Sequence, residues 1–432
     1  MKGYAEFFPF EPEITEDGSS EDGSSEDGSS EDGSSEDGSS EDGSSEDGSS
    51  EDGSSEDGSA GEGSSEDGSE GDGSSGEGSF GFEFKKSLDD VFTRQIYDYY
   101  DNGIIPNEKD YQNIIYIDPA YSGDSDGSIQ RPYRTLHDVP QKSNTAYLMK
   151  RGTSYVNNTG NHFTFNVGNV LLGAYGEGER PVIRAEGSGG IIFSKDNSTI
   201  RDIVVRYVQF GVHSNEIEGA VAFNVNMRSS WVWARNIRFI GCEVKGAGTN
   251  GIFIQQRDFS SDSFIEIGHT HVHKVNQRWT PTTNQWDASG DGIQITGFRG
   301  EYHIHNSIVD KSDVGNKFTI IVNAHNNGVN SVNGIIENCT LLGPMPQPDG
   351  GAILYFGNVN DGNQNNHHSI IVRNNFMRGS TYDGQRYTGS GIFSNSSKFE
   401  VYGNYIENCN NALRLGNELF GKNKVHDNTI IP

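Results

Sequence analysis

A degenerate repeat of short apolar pairs is the feature that most constrains the fold of this chain. Each unit places two apolar residues five positions apart, usually with Asn, Asp, Gly or His between them. The eight anchor pairs, spaced 24 to 37 residues apart, are Val205/Phe210, Phe239/Val244, Ile267/Val272, Ile304/Val309, Ile336/Leu341, Val372/Met377, Val401/Ile406 and Val425/Ile430. A second short apolar strand lies upstream of each pair: Gly190–Ile192, Ala220–Phe223, Gly251–Ile254, Gly292–Ile295, Thr319–Val322, Ala352–Tyr355, Gly391–Phe393 and Ala412–Leu415.

Such strands cannot bury a core one by one, because each offers only two or three inward apolar side chains. Stacked coil on coil, they bury a continuous core. Helical repeats are excluded, because no useful 3.6-residue apolar period occurs within a unit. Asn in the turns tolerates left-handed backbone angles, and stacked Asn side chains can hydrogen-bond from coil to coil. The pattern therefore predicts an all-β solenoid with loops at Arg257–Phe264, Asn276–Ser289, Gly343–Gly350 and Asn358–His367.

The charge of the chain is concentrated in one low-complexity tract. The formal net charge is −30, but residues 16–78 hold 24 Asp and Glu and no Lys or Arg, which leaves 38 acidic and 32 basic side chains elsewhere. The pentad Glu-Asp-Gly-Ser-Ser repeats eight times from Glu16 to Ser55. Like charges repel and Gly and Ser add flexibility, so we expect a disordered, solvated linker. A calcium-loaded repeat is the alternative, although the regular apolar position of folded calcium repeats is missing.

Composition divides the chain into four segments. These are a short aromatic N-terminal peptide (1–15), the acidic EDGSS linker (16–79), an amphipathic capping segment (80–111) and the solenoid (112–432). Within the third segment, Ser87 is a predicted N-cap, and apolar residues from Leu88 to Tyr99 fall on one helix face. We expect this helix to cover an open end of the solenoid. The N-terminal peptide is suited to docking on a larger assembly.

Several function classes are excluded or disfavoured. Clustered cations for phosphate binding are missing, so a nucleic-acid groove is not expected. No run of 18 apolar residues occurs, and no apolar stretch of a secretory signal precedes the folded part. The three cysteines, Cys242, Cys339 and Cys409, suit neither a disulfide framework nor zinc, and we expect small buried fillers.

Three motifs resemble those of the right-handed parallel β-helix proteins of the pectate-lyase superfamily. They are Ile115–Asp124 (IYIDPAYSGD), Arg131–Leu136 (RPYRTL) and Ser289–Ile295 (SGDGIQI). In that family the first motif forms the first coil, the second begins a capping helix, and the third is a recurrent coil. The resemblance implies a right-handed parallel β-helix over about residues 112–432. The superfamily includes polysaccharide lyases, galacturonan hydrolases, alginate epimerases and bacteriophage tailspikes, so the fold does not settle the chemistry.

Ionisable and aromatic residues concentrate between His269 and His325. Because successive coils stack about 4.8 Å apart, residues at matching positions become neighbours. We expect a groove over the coils Gly251–Gln255, Asp291–Thr296 and Lys317–His325, with a Trp279/Trp286 loop as its wall. The catalytic candidates are Asp291, Lys317, Asp313, Lys311 and His325. The substrate-binding candidates are Trp279, Trp286, Arg278, Lys274, Gln255, Thr296 and Asn323.

Two mechanisms fit these residue types. A lyase acting on a uronic acid neutralises the substrate carboxylate and removes a proton, for which Ca²⁺ held by Asp287 and Asp291 and a lysine base are suited. A hydrolase needs two carboxylates about 5–9 Å apart, which Asp287 with Asp291, or Asp291 with Asp313, could supply. The family's hydrolase motifs (Asn-Thr-Asp, Asp-Asp and Gly-His-Gly) and the Arg/Lys motifs of its chondroitin and alginate lyases are missing. Asp291 also fits a turn that bonds backbone amides, and the row His269/His271/His273 fits a solvated strand face as well as a metal site.

Three functions therefore stay open from sequence. They are depolymerisation of an acidic polysaccharide with β-elimination favoured, a glycan-gripping virion spike of the tailspike kind, and a structural surface protein without catalysis. We expect an extracellular or virion-associated protein, and the first two functions imply a polysaccharide substrate or receptor as the partner. The final coil lacks an obvious polar cap, so we also expect self-association, for which a trimer is the precedent, or a further partner.

Overall fold

The computed structural model describes residues 98–99, 101–157, 161–185, 190–257, 261–275, 279–280, 285–286, 290–312, 318–324, 332–344, 351–358, 367–382, 385–386, 388–396, 398–417 and 422–432. All belong to the unit Phe84–Pro432, which is separate from Met1–Glu83. The predicted N-terminal peptide and acidic linker lie outside the described residues. So does the predicted capping helix, apart from Asp98 and Tyr99, which are helical.

Three long parallel sheets make up the described solenoid. Sheet A contains β1 Asn113–Ile117, β2 Thr145–Lys150, β5 Val170–Tyr175, β8 Ser198–Arg201, β11 Ile217–Phe223, β14 Ala234–Ile240, β17 Ser263–Gly268, β22 Gly300–His305, β25 Val332–Glu337, β28 His367–Arg373, β33 Phe399–Tyr402 and β36 Lys424–His426. Sheet B contains β3 Ser154–Asn157, β6 Val182–Ala185, β9 Val204–Val205, β12 Asn226–Met227, β15 Glu243–Lys245, β18 His271–His273, β23 Ile308–Asp310, β26 Thr340–Leu342, β29 Phe376–Arg378, β34 Tyr405–Glu407 and β37 Thr429–Ile431. Sheet C contains β4 Phe163–Phe165, β7 Ile191–Phe193, β10 Tyr207–Phe210, β13 Ser229–Val232, β16 Ile252–Gln255, β21 Ile293–Phe298, β24 Phe318–Ala324, β27 Ala352–Asn358, β32 Thr388–Ser396 and β35 Cys409–Asn417.

Each coil passes through sheets A, B and C in turn, and each strand pairs with the same sheet's strand in the next coil. The chain is therefore a right-handed parallel β-helix, as predicted, with the hand that parallel crossovers adopt. Two antiparallel hairpins project from it: β19 Trp279–Thr280 with β20 Gln285–Trp286, and β30 Thr381–Tyr382 with β31 Gln385–Arg386. No helix in the described part of the chain is long and apolar enough to span a membrane.

The turns from sheet A to sheet B explain the Asn-rich repeat. Asn306, Asn338 and Asn374 begin these turns with φ of 48°, 54° and 56°, a left-handed conformation that Asn tolerates. Further into the turn, buried Asn side chains stack. Asn375 Nδ2 donates to Asn404 Oδ1 at 3.0 Å, and Asn404 Nδ2 donates to Asn428 Oδ1 at 2.9 Å. The predicted coil-to-coil Asn ladder is thus confirmed for these residues.

One anchor pair and one upstream strand were assigned wrongly from the sequence. Val205 lies on sheet B and Phe210 on sheet C, so this pair does not span an A-to-B turn as the other seven do. Ala220–Phe223 lies in β11 of sheet A, where Ala222 pairs with Phe239 of the next coil. Coils without insertions are short here, and strands of all three sheets show the same alternation of inward apolar residues. The sequence pattern therefore counts two successive coils of the solenoid as a single repeat.

The motif Arg131–Leu136, which by resemblance predicts the start of a capping helix, leads into a short 3₁₀ turn. In this turn, η2 (Leu136–Asp138), Leu136 is fully buried in the main core, and the Thr135 hydroxyl caps the turn by accepting from Asp138 N. The described part of the predicted capping segment includes the 3₁₀ turn η1 (Glu108–Asp110) and runs along the outer face of sheet A. There Ile105 packs with Phe223 and Ile240.

The C-terminal coil leaves apolar side chains exposed. Val425, Ile430 and Ile431 have exposed fractions of 46%, 47% and 42%. All three lie on the last strands of sheets A and B, β36 and β37. The self-association expected of this coil stays a prediction.

Candidate functional site

The outer face of sheet C carries a row of large side chains in strict register from coil to coil. Strand pairing aligns the row, which we call the central row, as Trp231, Phe253, Gln294, Ile321, Tyr355, Phe393 and Arg414. The inward neighbours of these residues, such as Ile252 and Ile293, are fully buried in the solenoid core. The alternation of the strands therefore sends one apolar set inward and an aromatic-rich set outward.

Tryptophans on β13 begin this row. The ring of Trp231 lies 4.9 Å from Phe253 and 5.6 Å from Trp233, centroid to centroid. The indole N–H of Trp233 donates to Gln255 Oε1 at 3.1 Å, which fixes both side chains. Trp231 stays half-buried and presents part of its ring outward. Sequence reasoning missed this platform, although the alternation Trp231-Val232-Trp233 was a signal that both indoles share a face.

A polar column runs beside the central row. Gln255 pairs with Thr296, and Thr296 pairs with Asn323. The predicted alignment of these three residues is confirmed, while their role in binding stays a prediction. Aromatic rings beside amide and hydroxyl groups are the combination that sugar recognition uses, since a pyranose offers apolar faces and hydroxyl edges.

Asp291 and Lys311 lie at the roots of loops that lead into sheet C, and both are buried. Asp291 Oδ1 accepts from Phe318 N at 3.1 Å, and Asn250 Oδ1 accepts from Asp291 N at 2.7 Å. The Lys311 ammonium group donates to the carbonyl of Gly290. Asn250 in turn donates to Gln294 of the central row at 2.8 Å. This network couples the loop roots to the outer face of sheet C.

The remaining predicted site residues are placed only in part. Lys274 is exposed in a turn that leads from sheet B, with φ of 52°. Trp279 and Trp286 pair opposite one another in the β19–β20 hairpin. Arg278, Asp287, Asp313, Lys317 and His325 lie outside the described residues. No metal-binding group of three or more His, Cys, Asp or Glu occurs among the residues that the structure describes.

The three histidines of the predicted row do not share one strand face. His271 and His273 stack at 4.0 Å on the outer face of sheet B, where His273 Nε2 lies 3.0 Å from Glu243 Oε1. His269 begins the preceding turn with φ of 51° and is buried beside His305 of sheet A. A strand-wide alternation was therefore the wrong interpretation for His269.

A second ionisable cluster, unforeseen from the sequence, crosses the outer face of sheet A. Its members lie on five successive strands and form what we call the charge ladder: Arg238, Glu266, His305, His303, Glu337 and Arg373. Arg238 Nε lies 3.0 Å from Glu266 Oε2, and Arg373 Nε lies 2.7 Å from Glu337 Oε2. Tyr99 covers one end, because its hydroxyl donates to Glu266 Oε1 at 2.8 Å.

The charges of this ladder are mutually compensated. Burial alone would raise the pKa of Glu266, but hydrogen bonds from His305 and Tyr99 and the charge of Arg238 outweigh it and lower the pKa to about 2. Each guanidinium in the ladder thus faces a carboxylate that stays ionised. On sheet C, by contrast, Arg414 forms no ion pair with any residue in the described part of the chain. Among the described residues, the arginines of the charge ladder therefore have carboxylate partners and Arg414 has none.

Comparisons with known proteins add three solved structures. No family model and no curated protein sequence matches the chain. Pectate lyase Pel9A shares 16% identity over 71% of this chain and 77% of its own, with a TM-score of 0.44. A GH136 lacto-N-biosidase from Eubacterium ramulus shares 11% over 78% and 69%, with a TM-score of 0.35, and a rhamnogalacturonan lyase shares 12% over 74% and 86%, with a TM-score of 0.30. The strand pairing of this chain shows a three-sheet parallel β-helix, which is the fold that its sequence motifs predict.

Proposed function

We propose that the outer face of sheet C binds an acidic polysaccharide and that the protein depolymerises it, with β-elimination as the favoured reaction. The observation that supports this most is the half-buried ring of Trp231, which packs on the buried Phe253 beside the polar column of Gln255, Thr296 and Asn323. The platform stacks on a sugar ring while the column bonds its hydroxyls. Such a polymer is found outside cells, so the proposed location is extracellular.

In this proposal the loops entering sheet C supply the chemistry. Lys317 or His325 removes the proton, Asp313 assists proton transfer, and Lys274 and Arg278 attract the substrate carboxylate. Asp287 contributes to a Ca²⁺ site that neutralises the same carboxylate. Asp291 and Lys311 act by holding the loop roots, since both are buried and bond the backbone there.

A second candidate is glycan binding without cleavage, as in a surface or virion spike. It is favoured by the burial of Asp291 and Lys311, because these two members of the predicted catalytic set are only 3% and 0% exposed. A side chain so deeply buried does not reach a substrate without rearrangement.

The deciding experiment incubates the full chain with a panel of acidic and neutral polysaccharides. Ultraviolet absorbance detects the unsaturated product of β-elimination, reducing ends detect hydrolysis, and affinity electrophoresis detects binding. We expect an acidic polymer to bind and yield the unsaturated product, and Trp231→Ala to weaken binding at least tenfold. Phe376→Ala is the matched control, because Phe376 is a half-buried aromatic residue on sheet B.

Binding without product would establish the second candidate. Equal binding by the parent and the Trp231→Ala variant would show that the site lies on another face. Absence of binding to every polymer would overturn both functions.

A further inference from the structure

We propose that the C-terminal third of sheet C is a second binding platform, specific for an acidic sugar at the far end of the same polysaccharide chain. This inference rests on the proposed function and adds the length and charge of the ligand. The platform consists of Phe318, Tyr355, Phe393 and Arg414.

The aromatic rings of this platform contact one another over three coils. The centroids of Phe318 and Tyr355 lie 4.4 Å apart with an interplanar angle of 23°, and Tyr355 meets Phe393 edge to face at 5.2 Å. Phe318, Ile321 and Ala352 are buried against these rings, at 8%, 4% and 1% exposure. Tyr355 and Phe393 are only half-buried. These two rings are thus held in place by buried neighbours and remain partly open on the outside, which keeps the entropic cost of binding low.

Arg414 gives the platform its preference for an acid. Its Cζ atom lies 4.6 Å from the centroid of Phe393, and the side chain is exposed. A guanidinium flat on an aromatic ring keeps its in-plane N–H groups directed outward, where they suit a carboxylate with two parallel hydrogen bonds. Arg414 has no acidic partner among the described residues, so such a carboxylate does not have to displace one.

A similar arginine–aromatic pair on sheet B has its positive charge matched by a carboxylate. Arg378 lies over Phe376 at 4.9 Å, but it also forms an ion pair with Glu407. Its charge is therefore already matched within the protein. The two arginines share the same local packing and differ in this partner, so they make a matched comparison.

The separation of the two platforms sets the length of the ligand. Trp231 and Arg414 are six strand spacings apart in sheet C, or roughly 29 Å at the usual spacing between paired strands. A pyranose ring is close in length to one such spacing. Only a chain of about six or more sugars along the solenoid axis can contact both platforms, and a shorter chain contacts one.

The test measures binding of uronic acid oligosaccharides of three and eight sugars, and of neutral oligosaccharides of the same lengths, by titration calorimetry. For the parent we expect the acidic octamer to bind much more tightly than the trimer. Arg414→Gln should weaken acidic octamer binding roughly tenfold or more and leave neutral octamer binding unchanged, since a hydrogen bond to a charged group is lost. Arg414→Lys should recover part of the affinity, and Arg378→Gln should behave as the parent.

The measurements distinguish failure of the second platform from failure of the proposed function. If Trp231→Ala loses binding while Arg414→Gln binds the acidic octamer like the parent, the first platform stands and the second is wrong. Equal affinity of the parent for the acidic trimer and octamer would also overturn the second platform. If neither acidic oligosaccharide binds, the proposed function fails first.

Discussion

The phenol ring of Tyr302 occupies the space that a side chain would take at Gly334 in the next coil. The two residues pair directly, and a Cβ atom added to Gly334 would lie 1.9 Å from Tyr302 Cζ. The hydroxyl of Tyr302 is buried and has no hydrogen-bond partner among the residues that the structure describes. The Tyr302 ring thus fills the space left by the missing side chain of Gly334.

Gly334→Ala should destabilise the fold by about 1–3 kcal/mol through overpacking. Tyr302→Phe should be neutral or stabilise it by roughly 1 kcal/mol, because it removes an unpaired buried hydroxyl. Chemical denaturation of both variants and of the double variant measures the coupling. Strong destabilisation by Tyr302→Phe would show that the hydroxyl has a partner.

Acid should destabilise the protein in a window set partly by His269. Burial and the charge of His305 lower the pKa of His269 to about 4, from 6.5. The unfolded chain therefore takes up a proton at higher pH than the folded chain, and the stability is fully present above pH 6.5 and lost as the pH falls toward 4. The effect is on the order of 3 kcal/mol.

The variant His269→Asn should flatten that part of the pH profile. Asn occupies the same left-handed position in the coils of Asn306, Asn338 and Asn374, so the backbone accepts it. Tyr99, His305, Glu266 and Asn306 surround the site, and Glu266 contributes separately between about pH 4.5 and 2, because its lowered pKa makes the folded carboxylate harder to protonate. Denaturation from pH 7.5 to 4 measures the slope, and an unchanged slope would argue against the role of His269.

Asn404→Ala should cost about 2 kcal/mol or more. The side chain is 1% exposed, accepts from Asn375 and donates to Asn428, so its removal leaves buried partners unpaired. Asn411→Ala is the control, because Asn411 is exposed on β35, and its effect should stay within about 0.5 kcal/mol. Similar losses for both variants would contradict the special role of the ladder.

Asp291 should tolerate Asn better than Ala. Its described hydrogen bond accepts from Phe318 N, and an amide oxygen can replace the carboxylate oxygen there. We expect Asp291→Asn to keep most polysaccharide cleavage and Asp291→Ala to weaken substrate binding, seen as a raised KM at similar kcat. Loss of kcat by 10²-fold or more in Asp291→Asn at unchanged KM would instead identify a catalytic acid.

The solenoid was predictable because its determinants are local. Apolar pairs such as Ile304/Val309 and Ile336/Leu341 mark a turn within a few residues, and the same spacing returns from coil to coil. The merging of the Val205 and Ala222 coils came from the same source, since strands of different sheets look alike in sequence. The charge ladder was not predictable. Tyr99 and Glu266 are 167 residues apart, and only the stacking of particular coils brings them together.

Only part of the candidate site could be predicted from the sequence. Gln255, Thr296 and Asn323 were aligned correctly, because coil spacing and strand starts fix the register. The packing of Trp231 and the contact of Arg414 with Phe393 depend on which neighbours each side chain meets across coils. That information resides in the stacked structure and not in any one segment.

The charge ladder also bears on how the coils find their alignment during folding. In the register of β17 with β22, Glu266 stands opposite His303, and Glu301 lies two residues before His303 on β22. If β22 slipped by two residues, its apolar side chains would still point inward, but Glu301 would stand opposite Glu266. Two like charges would then meet where Glu266 is buried, at a cost that the native pairing avoids. The ladder thereby disfavours misaligned coils that the hydrophobic pattern alone would accept.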